Sequence, residues 1–304
     1  MLKIKVVSLV AVALVAAATV CGGAEGTGTG FGLGPGLVLA ENIKPGEEVD
    51  LSKAMGAPFV VYNGTDAEHE FHAFVAKPST AISDWEYGYD EIPDASWCHL
   101  DQKDFKIDKK SDAKVKLFIK VPDKPENYNR KFMVLVIATP SAGGGPGVVG
   151  LQVASRVQIE TSSKDAMDGA GTGPISIVPS CIDLPGLSAD FTAKQFVMVR
   201  NNTKEERTYT VKHLNDLEKD AAKFSRYFGV GRIPVVTPAW ASAGEDTFKL
   251  KPDETKKLLV SWAVPKTALT GKNYEELLFV QDDKGHNQFV RLRTEIAGAE
   301  SAGK

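Results

Sequence analysis

Apolar and polar residues alternate over short stretches of this chain, and the same alternation is written twice. Val115, Leu117, Ile119 and Val121 are separated by mostly polar residues, and so are Leu258, Val260, Trp262 and Val264. A period of two is that of a strand with one buried face. Each run sits in a longer phrase. A shift of 143 residues carries FKIDKKSDAKVKLFIKVP (105–122) onto FKLKPDETKKLLVSWAVP (248–265), and Trp97 onto Trp240. Downstream of each phrase, Asn-Tyr (127–128 and 273–274) precedes an apolar run, KFMVLVIA and ELLFVQ. Upstream, FVVYNGTDAEHEFHAFV (59–75) resembles FVMVRNNTKEERTYTVKHL (196–214): strand, Asn-opened turn, alternating strand. Pro45-Gly46 and Pro185-Gly186 mark a tight turn before each block.

Repetition on this scale predicts two copies of one module. Short strands with frequent turn signals predict an all-β chain of two tandem immunoglobulin-like β-sandwiches. The expected division is a signal peptide at 1–24, a first sandwich at 25–161 with a Gly-rich N-terminal arm, a linker at 162–171, a second sandwich at 172–298 and a tail at 299–304. GAGTG (169–173) carries the linker composition. Trp97, Trp240 and the paired Phe105 and Phe248 are expected to plug the two cores.

The copies differ before the Trp. The first has SDWEYGYDEIPD (83–94), with three rings among five carboxylates. Trp85, Glu86, Tyr87, Tyr89, Asp90 and Glu91 are the candidate binding residues, because exposed rings stack on sugars or hold cations while carboxylates accept hydrogen bonds. The competing expectation is that the rings lid an open end of the sandwich. The second copy has NDLEKDAAKFSRYFGVG (215–231), where Leu217, Ala221, Phe224 and Phe228 share one face of a predicted short helix capped by Asn215 and closed by Gly229. That face either packs on its own sandwich or docks elsewhere.

The order of PG turn, Asn-ended strand, Trp segment, alternating strand and final hairpin resembles immunoglobulin-like modules of bacterial surface and periplasmic proteins. It is similar to the first domain of WxL-interacting proteins and to the pilus-chaperone/major-sperm-protein class. The resemblance spans nearly the whole mature chain, but its motifs are core and turn residues. It implies a fold and leaves function to the site. The chain departs from WxL-interacting proteins, which end in a membrane anchor, by ending in AGAESAGK. It also lacks a match for the basic pair of a pilus chaperone's cleft.

The N-terminus changes the picture of where the protein acts. Lys3 and Lys5 precede an apolar run (6–20) followed by small residues, the pattern of a cleaved signal. Val20, not a small residue, precedes Cys21, which argues against lipid anchoring there. The mature chain is therefore expected to be exported, periplasmic or extracellular, without a membrane span. Cys98 and Cys181 are then candidates for one disulfide in a permissive compartment. A net charge of −3 gives no reason to expect nucleic acid, which favours a concentrated basic face.

Catalytic chemistry is not written in a recognisable form. His69 and His72 would point to opposite faces of a strand, and Ser111/Lys114 precede a strand rather than open a helix. No catalytic residue, metal ligand set or cofactor is expected. The expected function is a non-catalytic binding or scaffolding protein whose partner is an envelope or extracellular protein or polysaccharide. The alternatives are a periplasmic chaperone or filament subunit acting by β-strand addition, with 25–36 as donor, and a carbohydrate-active enzyme with an acidic-aromatic site near 84–94.

Overall fold

The computed structural model describes residues 30–81, 87–141, 152–164, 173–229 and 231–297. Its elements are nearly all strands, and they form two immunoglobulin-like sandwiches, as the alternation predicts. In the first, one five-stranded path runs Leu37–Ile43, Val153–Thr161, Lys131–Pro140, His69–Ala76, Asp104–Ile107. The facing layer holds Phe31–Gly34, Phe59–Asn63 and Ser111–Val115, continued by Leu117–Ile119 between Val49–Asp50 and Cys98–Leu100. In the second, Cys181–Leu187, Asn287–Ile296, Asn273–Asp282, Arg207–His213 and Thr247–Leu250 face Ile175–Val178, Thr192–Asn201, Thr255–Ala263 and Ala241–Ala243.

The alternating positions fill the cores. Val115, Leu117 and Ile119 are buried in one, and Leu258, Val260 and Trp262 in the other. Phe105 stacks on Phe71 at 6.1 Å, and its repeat partner Phe248 stacks on Tyr209 at 5.6 Å. Trp97 and Trp240 sit at the core margins, each half-buried against one ring of the following strand, Phe132 and Tyr274. They are not the central plugs that the repeat suggested; Trp262 is, at 1% exposure. The Asn turns are the most faithful copy. Asn63 Nδ2 donates to the carbonyls of Ala67, Ile107 and Asp108, and Asn201 Nδ2 to those of Glu205, Leu250 and Lys251. Both side chains are buried and serve the turns.

Strand pairing fixes which positions correspond. Asp90–Glu91 runs parallel to Phe132–Met133, and Ile233–Pro234 runs parallel to Tyr274–Glu275, at the same spacing from Trp97 and Trp240. Met133 therefore corresponds to Glu275. Through the hairpins and their parallel neighbours, Glu160 corresponds to Glu295, Lys131 to Asn273 and Leu39 to Asp183.

Two expectations need correction here. The proposed donor arm is not free over its described part, because Phe31–Gly34 pairs with Phe59–Asn63 of its own sandwich. The insertion at 215–231 is not one helix. A turn of α-helix at Leu214–Leu217 stops, and a 3-10 segment starts at Ala221–Arg226. Asp220 causes the break: its side chain accepts from the Ala222 N–H and caps a new start. Leu217, Phe224 and Phe228 still share a cluster, but that cluster includes Leu39, Tyr89 and Met133 of the first sandwich. The segment is packed between the modules.

Candidate binding cleft

The outward faces of the two larger sheets meet. Alternation along Lys131–Pro140 sends Phe132 and Val134 into the first core and leaves Lys131 and Met133 on the outer face. In the second module Leu278 and Val280 point inward, while Leu277 and Phe279 point out. Tyr89, Met133, Tyr227, Phe279 and Phe289 make the apolar part of the junction. Gly88 lies so close to it, at φ +77, that a Cβ there would stand 2.3 Å from Phe289 Cδ1.

The polar part centres on Arg291, which is fully buried. Its guanidinium donates to both carboxylate oxygens of Glu160, the Nε bond measuring 2.8 Å. It also donates to the Tyr227 carbonyl at 2.7 Å, and its Nη1 lies 3.0 Å from Glu275. Arg293 bonds Glu41 and, at 2.5 Å, Glu275. Lys131 Nζ donates to the Phe289 carbonyl at 2.7 Å and stands over the Phe289 ring. Three carboxylates and three cations thus gather at the junction, Glu41, Glu160 and Lys131 from the first module and Glu275, Arg291 and Arg293 from the second. Burial disfavours ionising Glu160, but Arg291 outweighs it and holds the carboxyl down at about 2. Burial dominates at Lys131 and pushes its ammonium down to about 8. It also dominates at Glu41, whose carboxyl is raised.

A cleft of about 510 Å³ opens beside this junction, with one wall from each module. The first-module wall is Tyr87–Glu91, and the facing wall carries Glu218, Lys223 and Tyr227. The turn Gly285–Gln288 borders it as well. The Tyr87 N–H donates to Tyr227 Oη at 3.1 Å, which ties the walls together. Asp90 accepts from Arg130 at 2.8 Å and from Gln288 at 2.9 Å. Burial raises its carboxyl against the pull of Arg130. Glu91 accepts from the Ser79 N–H at 2.8 Å. Glu218 lies 3.7 Å from Lys223, and His286 Nδ1 lies 2.8 Å from Asp282.

The structure thus brings four of the six candidate residues to one cleft: Tyr87, Tyr89, Asp90 and Glu91. Trp85 and Glu86 lie outside the described residues. Tyr89 is not an exposed ring. It is 3% exposed, and its hydroxyl donates to Glu160 at 2.5 Å. The second wall, from 218–227, belongs to the insertion whose apolar face was expected either to pack on its own sandwich or to dock elsewhere, and that face packs against both modules. Cys98 and Cys181 do not form the candidate disulfide. Both are free thiols, Cys98 in the first core and Cys181 on the second module, and burial pushes each thiol up to about 12. Among the described residues no group of three His, Cys, Asp or Glu could hold a metal ion, and no helix is long and apolar enough to cross a membrane.

No protein-family model and no curated protein matches the chain. Solved structures similar to it include a Porphyromonas gingivalis W83 protein of unknown function, at 13% identity and TM-score 0.34, covering 88% of this chain and 100% of that one. The E. coli chaperone DraB gives 9% identity and TM-score 0.29, covering 88% and 99%. The periplasmic chaperone SfaE gives 11% and 0.28, covering 88% and 100%. The class of the protein follows from its own strand order: two tandem immunoglobulin-like β-sandwiches joined face to face.

Proposed function

We propose that this is an exported, non-catalytic binding or scaffolding protein that captures an envelope or extracellular molecule in the inter-module cleft. Export is inferred from the signal-like segment at 1–24. The observation that carries the binding reading is the engagement of the cleft's carboxylates by the protein itself. Asp90 is held by Arg130 and Gln288, Glu91 by the Ser79 amide, and Glu218 by the Asp220 amide. A general acid or base needs a carboxyl free to exchange its proton with a substrate; these are fixed as recognition and positioning groups. The walls come from different modules locked by a buried ion network, so the cleft is preformed, which lowers the ordering cost of binding.

The test is capture from the native envelope with the purified mature protein as bait. Wild type is compared with Tyr87→Ala/Lys223→Glu in the cleft and with Lys249→Glu on the exposed edge strand Thr247–Leu250. Loss of a specific partner only in the cleft variant supports the reading. Equal capture by all three removes it. Turnover of a saccharide that is lost in Glu91→Gln would replace it with the enzymatic alternative.

A further inference from the structure

We infer that the cleft takes a neutral oligosaccharide of two or three rings. This deepens the proposed function and rests on the cleft being the binding surface. Four observations converge. The first is charge. Asp90, Glu91 and Glu218 oppose Arg130, Lys77 and Lys223 at 2.8, 3.9 and 3.7 Å, and His286 is paired with Asp282. A site built for an ion presents an uncompensated charge of opposite sign. Here each of these charges already has its counter-charge, and Arg226, which also lines the cleft, is itself engaged, so an ionic ligand would have to break an existing interaction to gain one.

The second is the polar inventory. Carboxylates, the Gln288 and Asn287 amides and an imidazole surround one space. Such groups donate and accept in fixed planes, and they match the paired hydroxyls of a sugar ring. A ligand that is mostly apolar would strip water from these groups and offer no hydrogen bond in its place. The third is Tyr87. Its side chain is among the few large exposed ones of the described residues, at 38%, and it stands at the cleft wall. Its backbone N–H is fixed to Tyr227, so the exposed ring is attached to an anchored main chain rather than a loose one. An exposed ring with a fixed backbone offers a face for the C–H side of a pyranose. The fourth is size: about 510 Å³ falls within the ~300–1,000 Å³ of small-molecule sites and leaves no room for a folded partner.

The test is isothermal titration of the mature protein with maltotriose, cellotriose, chitotriose and mannotriose, and with trigalacturonic acid as the charged counterpart, each up to about 10 mM. Saturable binding of one neutral trisaccharide is expected. Tyr87→Ala should weaken it at least about tenfold and Tyr87→Phe by less than about threefold, since the ring and not the hydroxyl is the contact. Neither variant should move the unfolding midpoint. No binding by any neutral trisaccharide overturns the inference, as does binding indifferent to Tyr87→Ala or a preference for trigalacturonic acid. The envelope capture separates the two proposals. If Tyr87→Ala/Lys223→Glu abolishes capture while no neutral trisaccharide binds, the cleft reading stands and the saccharide falls; if that variant captures normally, both fall.

Discussion

Arg291 of the second module and Glu160 of the first meet through two charge-assisted hydrogen bonds, with Arg291 fully buried and Glu160 nearly so. Removing Arg291 takes the shared counter-ion from Glu160 and Glu275, a loss of about 3–5 kcal/mol, while removing Glu160 leaves Arg291 with Glu275 and costs less. Arg291→Met and Glu160→Gln should each lower the urea midpoint accordingly. The double variant should lose less than the two singles together, because the uncompensated charge is gone. Strict additivity in that cycle would mean the pair does not couple the modules.

Lys131 gives the junction an alkaline signature. Its folded pKa of about 8 lies below the ordinary lysine value of 10.5, so the unfolded chain binds more protons between these limits. Stability at the Lys131 site therefore rises with pH from about 8, by up to about 1.4 kcal/mol per pH unit. Above pH 9 the buried thiols of Cys98 and Cys181, raised to about 12, act in the opposite direction. The clean window is pH 8–9, read as the difference between wild type and Lys131→Met in denaturant unfolding. A difference that stays flat across that window would mean Lys131 is not titrating in the junction.

Gly88→Ala should cost about 2–4 kcal/mol. One part is the left-handed backbone at φ +77, and the other is overlap of the new methyl with Phe289. Gly285→Ala, equally left-handed at φ +90 but with open space around it, isolates the backbone part. Equal losses at the two sites would deny the close approach of the modules.

Asn63→Ala and Asn201→Ala each strip donors from three carbonyls of a corresponding turn. Each should lose roughly 2–4 kcal/mol. The two losses should be similar, since the geometry is repeated. Chemical denaturation of both variants would reveal a turn that is decorative in one copy.

The alternating strands and paired Asn turns were legible because they answer only to their own module. Val115, Leu117 and Ile119 alternate because one side is core. The junction was not legible for the same reason. Arg291 and Arg293 in VRLRTEI alternate with apolar residues, as they would on a solvent-facing strand. A period of two separates inside from outside; it does not separate water from a second protein surface. The visible trace was Phe279 and Phe289, large rings on the supposed wet face of the last two strands. In the candidate stretch, the same ambiguity made Tyr89 look like a surface ring. Its burial depends on residues some seventy and two hundred positions away, Glu160 and Arg291.

The correspondence between the copies shows how differently two equivalent faces are used. The junction uses Leu39, Lys131 and Glu160 of the first copy against Phe279, Phe289 and Arg291 of the second. Met133 and its counterpart Glu275 both lie in the junction, so the two equivalent sheets meet there without using matched residues throughout. The second copy offers Asp183, Asn273 and Glu295 where the first offers Leu39, Lys131 and Glu160, and all three are exposed. Asp183 puts an exposed charge where the first copy buries Leu39, and Asn273 removes the ammonium. Equivalent sheet positions thus hold a buried apolar and ionic seam in one module and a wet polar surface in the other.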